Sequence, residues 1–192
     1  MFTYNIEDLQ YIFDSAGQSV IVNDAKINVI VTNPPVDEYE QRYIHSLQKV
    51  SRGDIVTLEG EKYISITESI TKRGSKYKTL IRHLNATIKM KGEPTEIQIG
   101  ENPYTGEPIY EYIEGEDFYI AAIVDNKSFS VNFNQPIILP NNQIEVIVQD
   151  NEINRSLFAS GKDFSVIEKT WTVLNQDLSK SGLLILTCEN KI

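Results

Sequence analysis

Apolar positions along this chain recur with helical spacing once, near the N-terminus, and with a period of two almost everywhere else. Ile6, Leu9, Ile12 and Phe13 form one stripe behind Asn5, a capping residue, with Glu7 and Asp8 in the first turn and Gly17 as the stop. This predicts a short helix. Val20 and Val22 then read as one strand, and Ile27, Val29 and Val31 as the next, with Asn23-Asp24 as the turn between them. Asn33-Pro34-Pro35 ends the pair, because two prolines remove ladder donors. Asp37 to Leu47 mixes charged and aromatic residues and fits helix or loop. Arg52-Gly53-Asp54 opens a further strand through Ile55, Val56 and Leu58, and a Glu59-Gly60-Glu61 turn leads to Tyr63, Ile64 and Ile66. That is a second hairpin.

From Tyr77 to Met90 two periods compete. Leu80, Leu84 and Ile88 fit a helical row, whereas Leu84, Ala86, Ile88 and Met90 fit one face of a strand. The threonines, isoleucines and Tyr77 favour a long strand. Short runs at 95–99 and 109–113 flank a turn at Asn102 to Pro108, and Glu114-Gly115-Glu116 suggests a domain boundary. Beyond it, strands are expected at Phe118 to Val124, Phe129 to Phe133, Ile144 to Val148, Phe164 to Ile167, Trp171 to Leu174 and Leu183 to Cys188. Turns fall at Asp125-Asn126 and Lys180-Ser181-Gly182, and Trp171, Val173, Leu184 and Leu186 point to the core. About seven short strands in so few residues suit a small β-sandwich. The expected class is therefore mainly β.

Charge adds a second pattern. From Ser69 to Gly92 there is no acidic residue, while Lys72, Arg73, Lys76, Lys78, Arg82, Lys89 and Lys91 supply seven positive charges. From Glu93 to Asn126 the sign reverses, with nine carboxylates (Glu93, Glu96, Glu101, Glu107, Glu111, Glu114, Glu116, Asp117 and Asp125) and no Lys or Arg. Subtracting the seven positives from the net −9 of the 192 residues leaves −16, so the basic segment is a local exception on an acidic body. A general nucleic-acid binder would carry a basic face or domain, and no aromatic ladder interleaves these lysines. The stretch Thr71 to Lys76 reads equally as a solvated hairpin tip that keeps a sheet edge soluble, or as a loop that meets an acidic neighbour or phosphate.

Candidate chemistry changes the picture little. His45 and His83 belong to no metal-binding cluster, and zinc needs three or four such ligands. Cys188, the single cysteine, sits in an apolar run and reads as a buried small hydrophobe, compatible with a reducing compartment. No nucleophile elbow, phosphate loop or dinucleotide fingerprint occurs. Carboxylate pairs such as Glu59/Glu61 lie in polar turns, and Asp150 to Asn154 lacks the glycine and terminal glutamate of a calcium loop. No enzyme, metal or cofactor is expected. The N-terminus has no signal-peptide pattern, and no run is long and apolar enough to span a bilayer, so a soluble product of a cytoplasm with no membrane partner is expected.

Two stretches carry a resemblance. Gly53-Asp54-Ile55-Val56, then Gly60-Glu61-Lys62-Tyr63-Ile64-Ser65-Ile66, then Tyr77 to Ile88 with Lys78, Arg82 and Asn85, resemble the hairpin pattern of head–tail connector (head closure, or stopper) proteins of tailed bacteriophages. Trp171 to Thr187 is similar to the closing segment of Ig-like modules appended to phage structural proteins. The resemblance implies a connector-type β-barrel with a short N-terminal helix over residues 1–114 and an Ig-like β-sandwich over 115–192. It implies a structural virion protein, made in the host cytoplasm and assembled as a homo-oligomeric ring. Portal or adaptor and tail proteins would be its partners, with double-stranded DNA passing through the channel without sequence-specific binding. Lys72, Arg73, Lys76, Lys78 and Arg82 are the interaction residues this reading selects. A tail-completion, neck or baseplate role is the near alternative. A carbohydrate-binding β-sandwich stacking sugars on Tyr104, Tyr110, Tyr112 and Tyr119 is the distant one.

Overall fold

The helix predicted behind Asn5 is present. In the computed structural model, which describes residues 6–36, 39–72, 76–92, 94–126 and 142–191, α1 spans Ile6–Ala16. It ends as Gly17 N–H donates to the Phe13 carbonyl at 3.1 Å, and Phe13 is the residue it buries. β1 (Gln18–Val22) and β2 (Ala25–Thr32) then pair through Asn23 and Asp24, whose positive φ values of 43° and 70° match the twist of a two-residue hairpin. Asn23 also holds the next hairpin. Its Oδ1 accepts from Ile55 N–H at 3.0 Å and its Nδ2 donates to Asp54 at 2.8 Å.

The segment expected as helix or loop contains a strand, β3 (Gln41–Ser46). Its mixed composition hides a role set by its neighbours. With β2 on one side, it buries Ile44 and Ser46 while its charged residues stay partly exposed. β4 (Ile55–Leu58) and β5 (Glu61–Ser65) form the second hairpin, turning at Glu59 and Gly60. β6 (Ile70–Lys72) and β7 (Lys76–His83) follow. β7 pairs with β3 along one edge and with both β5 and β6 along the other, which closes a six-stranded barrel in the order β1-β2-β3-β7-β5-β4. Val20, Val29, Ile44, Val56 and Ile81 fill it.

The second half departs from expectation in two ways. Residues 77–90 are strand throughout except for a break at Leu84-Asn85, and β8 (Ala86–Lys91) after that break no longer belongs to the first barrel. β9 (Thr95–Glu101) and β10 (Pro108–Ile113) form a separate hairpin. β11 (Asp117–Asn126), β12 (Gln143–Gln149), α2 (Glu152–Leu157), β13 (Asp163–Val166), β14 (Lys169–Asp177) and β15 (Leu183–Asn190) complete the chain. Strands β8-β11-β12-β15-β14-β13 close a second barrel, in place of the expected Ig-like sandwich. The reason is β8, which pairs with β11 on one edge and meets β13 at Lys89–Ser165, bridging two strands that a sandwich would leave as edges. The chain therefore crosses between barrels at Leu84-Asn85, and the boundary expected after residue 114 is where the hairpin returns to β11. The strand expected at Phe129 to Phe133 lies outside the described residues.

Trp171, Val173, Leu184 and Leu186 all lie in the second core, with Phe158 and Phe164 in edge-to-face contact at 5.4 Å. The Trp171 indole N–H donates to the Val166 carbonyl, so its polar atom is satisfied. Four consecutive residues, Leu183 to Leu186, are buried because both faces of β15 are covered. Leu184 and Leu186 face their own barrel. Leu183 and Ile185 join Ile64, Leu84, Ile123 and Ile147 in a third apolar cluster between the two barrels.

Candidate interaction surfaces

Alternation along β7 buries Thr79 and Ile81 and puts Lys76, Lys78, Leu80 and Arg82 on the opposite face. These cations have different fates. Arg82 donates to both Asp125 oxygens, at 2.8 and 2.5 Å, with its guanidinium 3.9 Å over the Tyr39 ring. β7 lies in the first barrel and β11 in the second, so Arg82 is a clamp across the junction. Asn85 stands next to it and extends the ladder, accepting from Val124 N–H at 2.8 Å and donating to the Val124 carbonyl at 3.1 Å. His83 lies between Glu61 and Glu40, edge-on to Tyr63, whose hydroxyl donates to Glu40 at 3.2 Å. Burial, assisted by Glu40, raises the Tyr63 pKa. Tyr39, Glu40, Arg82, His83, Asn85, Asp125 and Asn126 line a cleft of about 500 Å³ whose charged groups already pair with one another.

Lys78 stands opposite Ile70 of β6 and His45 of β3, with its ammonium 3.7 Å over the Tyr43 ring. Lys76 begins β7 opposite Lys72 of β6. Among the described residues no carboxylate pairs with Lys76 or Lys78. Arg73 and the expected tip at Gly74-Ser75 lie outside the described residues.

The remaining positives of the charge break meet the negatives within the chain. Antiparallel pairing of β8 with β11 sets Lys91 opposite Asp117. Lys89 reaches Asp117 at 2.5 Å and Lys91 reaches Glu114 at 2.6 Å. The Lys91–Glu114 hydrogen bond raises the lysine pKa and lowers that of the glutamate. Arg82, Lys89 and Lys91 thus have intramolecular partners, and within the basic segment the open positive charge narrows to the β6–β7 end of the first barrel.

Open negative charge sits on the β9–β10 hairpin. These strands pair with each other and with neither barrel, and no residue from Thr95 to Ile113 is buried. The base is pinned by Gly92 N–H donating to the Glu116 carbonyl, and the tip folds on Asn102, whose carbonyl accepts from Gly106 N–H at 2.8 Å. Gln98 and Glu96 face Tyr110 and Tyr112, and Ile97 faces Glu111. The Glu96 hydrogen bond raises the Tyr112 pKa. Ile99 has no cross-strand partner, since Ile109 pairs with Gly100 and Tyr110 with Gln98. Ile97, Ile99, Ile109 and Ile113 are all exposed, on an arm whose only charges are Glu96, Glu101, Glu107 and Glu111. Composition marked this run as acidic. That it projects came only from the strand pairing. The four tyrosines of the sugar-stacking alternative are exposed but spread over the arm tip (Tyr104), one arm strand (Tyr110 and Tyr112) and a barrel strand (Tyr119).

Asp150 to Asn154 forms a helix cap. Asn151 accepts from Asn154 N–H at 2.7 Å, and Asp150 binds Arg155 through two hydrogen bonds of 2.5 and 2.7 Å. No cluster of three His, Cys, Asp or Glu suited to a metal occurs among the described residues. The Arg155 hydrogen bonds hold the Asp150 pKa below the usual carboxylate range, and Lys191 with Thr172 does the same for Asp163. A depressed carboxylate pKa stabilises the fold above the unfolded value, near 4, and loses that contribution as pH falls through the folded value. The urea midpoint is therefore expected to drop between pH 5 and pH 3, and Asp150→Asn to show a smaller drop. Chemical denaturation at the two pH values measures it.

These features define a class: a mainly β protein of two closed barrels, joined through an apolar cluster and carrying one projecting acidic hairpin. The chain belongs to the YomX family, matching the YomX N-terminal domain over residues 1–83 and the YomX C-terminal domain over residues 83–189. The two domains meet at His83, where β7 ends. YomX is the name of a Bacillus phage-derived gene, and membership makes this a phage-family protein. No curated protein and no solved structure matches the chain. No helix among the described residues is long and apolar enough to cross a membrane.

Proposed function

We propose that this chain is a structural component of the phage virion that forms a ring in the head–tail connector. In that place it docks on portal or adaptor and tail subunits and surrounds the DNA channel. The observation that carries this reading is the separation of unpaired charge on one subunit. Lys76 and Lys78 stand at one end of the first barrel, while an acidic arm leaves the second. Surfaces of opposite sign at different places on one subunit suit head-to-tail contacts, which close into rings when the rotation allows. Net charge of −9 fits a channel protein that repels phosphate and does not retain DNA. The working parts are interaction surfaces, and no reaction is assigned to the chain.

The test is direct. Mass spectrometry of purified particles should detect the chain, with gold-labelled antibody at the neck. Light scattering of the isolated protein should give a multimer at low salt that weakens at high salt, since exposed charges are screened beyond about 8–10 Å at physiological ionic strength. Absence from washed particles would rule out the virion reading, and labelling of the baseplate would move the protein to the other end of the tail.

A further inference from the structure

We infer that the acidic hairpin arm β9–β10 of one copy docks on the β6–β7 edge of the first barrel in the next copy, at Ile70, Lys76 and Lys78. This rests on the ring reading above and names the two surfaces that join its subunits. The arm is the least self-sufficient part of the chain. An isolated two-stranded hairpin is marginal in water, and this one leaves four isoleucines exposed, including Ile99 at 60%. Exposed apolar area of this kind marks a surface that something covers.

Charge selects the occupant. Two arms meeting face to face would bring Glu96, Glu101, Glu107 and Glu111 against the same four residues, with no cation on either side. Lys26, Lys49, Lys62, Lys162, Lys169 and Lys180 also lack a carboxylate partner among the described residues, but each stands alone along the chain. The β6–β7 edge differs, because Lys76 and Lys78 follow at two-residue spacing on one face of β7, with Lys72 in register opposite Lys76, and neither Lys76 nor Lys78 has a carboxylate among the described residues, whereas Arg82, Lys89 and Lys91 have theirs. Apolar contact is available there as well. β6 is a three-residue edge strand, and its Ile70 is 58% exposed beside the lysines. Arm and edge lie at separate places on the subunit, so each copy uses one of each, and the contact is heterologous.

A charge swap in trans tests this. One variant carries Glu96→Lys, Glu101→Lys, Glu107→Lys and Glu111→Lys, which reverses the whole arm, and a second carries Lys76→Glu with Lys78→Glu on the edge. Each alone repels itself and is expected to fall to the 21.9 kDa monomer by light scattering at low salt. Mixed, they restore the multimer, because the basic arm of the first meets the acidic edge of the second and the acidic arm of the second meets the basic edge of the first. Recovery in the mixture also shows that both variants are folded, and a melting curve of each checks it independently. An arm variant that keeps the wild-type mass overturns the inference, leaving the arm to a different partner and the ring reading intact. Two monomeric variants that stay monomeric when mixed, with normal melting, overturn it as well. A wild-type chain that is monomeric at every concentration overturns both.

Discussion

Gly182→Ala is expected to lower stability by about 3–5 kcal/mol, and the melting temperature by roughly 10 °C, although the substitution adds one methyl group. Gly182 and Gly53 meet backbone to backbone where the β14–β15 turn crosses the entry to β4. A Cβ on Gly182 would stand 2.0 Å from the Arg52 carbonyl oxygen, and one on Gly53 would stand 2.0 Å from the Gly182 oxygen. Both contacts are with main chain, so no side chain can swing aside. Both residues also have φ near +90°, a conformation that costs any other residue about 1 kcal/mol or more. The approach is reinforced by Gln149, which donates to the Gly53 carbonyl at 3.0 Å, and by Asp150 N–H, which donates to that of Gly182 at 3.1 Å. Gly100→Ala is the control. It has no positive φ and nothing within 4 Å of the new atom, so its effect should stay within about 0.5 kcal/mol. Thermal melting of the two variants decides the matter, and equal melting of Gly182→Ala and Gly100→Ala would show that the junction yields.

Arg82→Ala carries the second large effect, about 3 kcal/mol. Truncating one partner of a buried pair strands the other charge, at a cost of about 3–5 kcal/mol when burial is complete. Here the side chains are 11% and 21% exposed, which lowers the figure, while loss of the Tyr39 contact adds to it. The double variant Arg82→Ala/Asp125→Ala should be more stable than the sum of the single losses, because neither charge is then left alone. Its urea midpoint, set against those of the single variants, gives the coupling. If the two single losses simply add, the bidentate pair is not the clamp its geometry describes. Below its melting temperature Arg82→Ala should keep the wild-type multimer, since Arg82 works inside the subunit. That separates it from Lys76 and Lys78, with which its charge alone had grouped it.

The elements of this chain were largely legible because their causes are local. In α1 the apolar spacing ends on the buried Phe13 and Gly17 is the stop, while the expected cap, Asn5, lies outside the described residues. Asn23-Asp24 and Glu59-Gly60 adopt positive φ at the two hairpin turns. Trp171, Val173, Leu184 and Leu186 alternate and are buried as alternation requires. β3 was not legible, since Gln41–Ser46 has no strong pattern and becomes a strand by lying between β2 and β7. Glu114-Gly115-Glu116 misled for a related reason. Polar, glycine-containing sequence marks a turn, and nothing local distinguishes a turn between domains from one at the foot of a hairpin.

The charge break is the sharpest case of the difference. Sequence by itself determined that the seven positives and nine negatives are segregated, that the chain is mainly β, and where most strands and turns lie. Only the tertiary structure decided that β8 belongs to the second barrel, that this closes the barrel, and that Lys89, Lys91 and Arg82 face Asp117, Glu114 and Asp125. The physical reason is register. Side-chain alternation is written in each strand separately, but which strands become neighbours depends on burial summed over the whole molecule. Charges distant along the chain become partners, or remain open for a second subunit, only once that pairing is set.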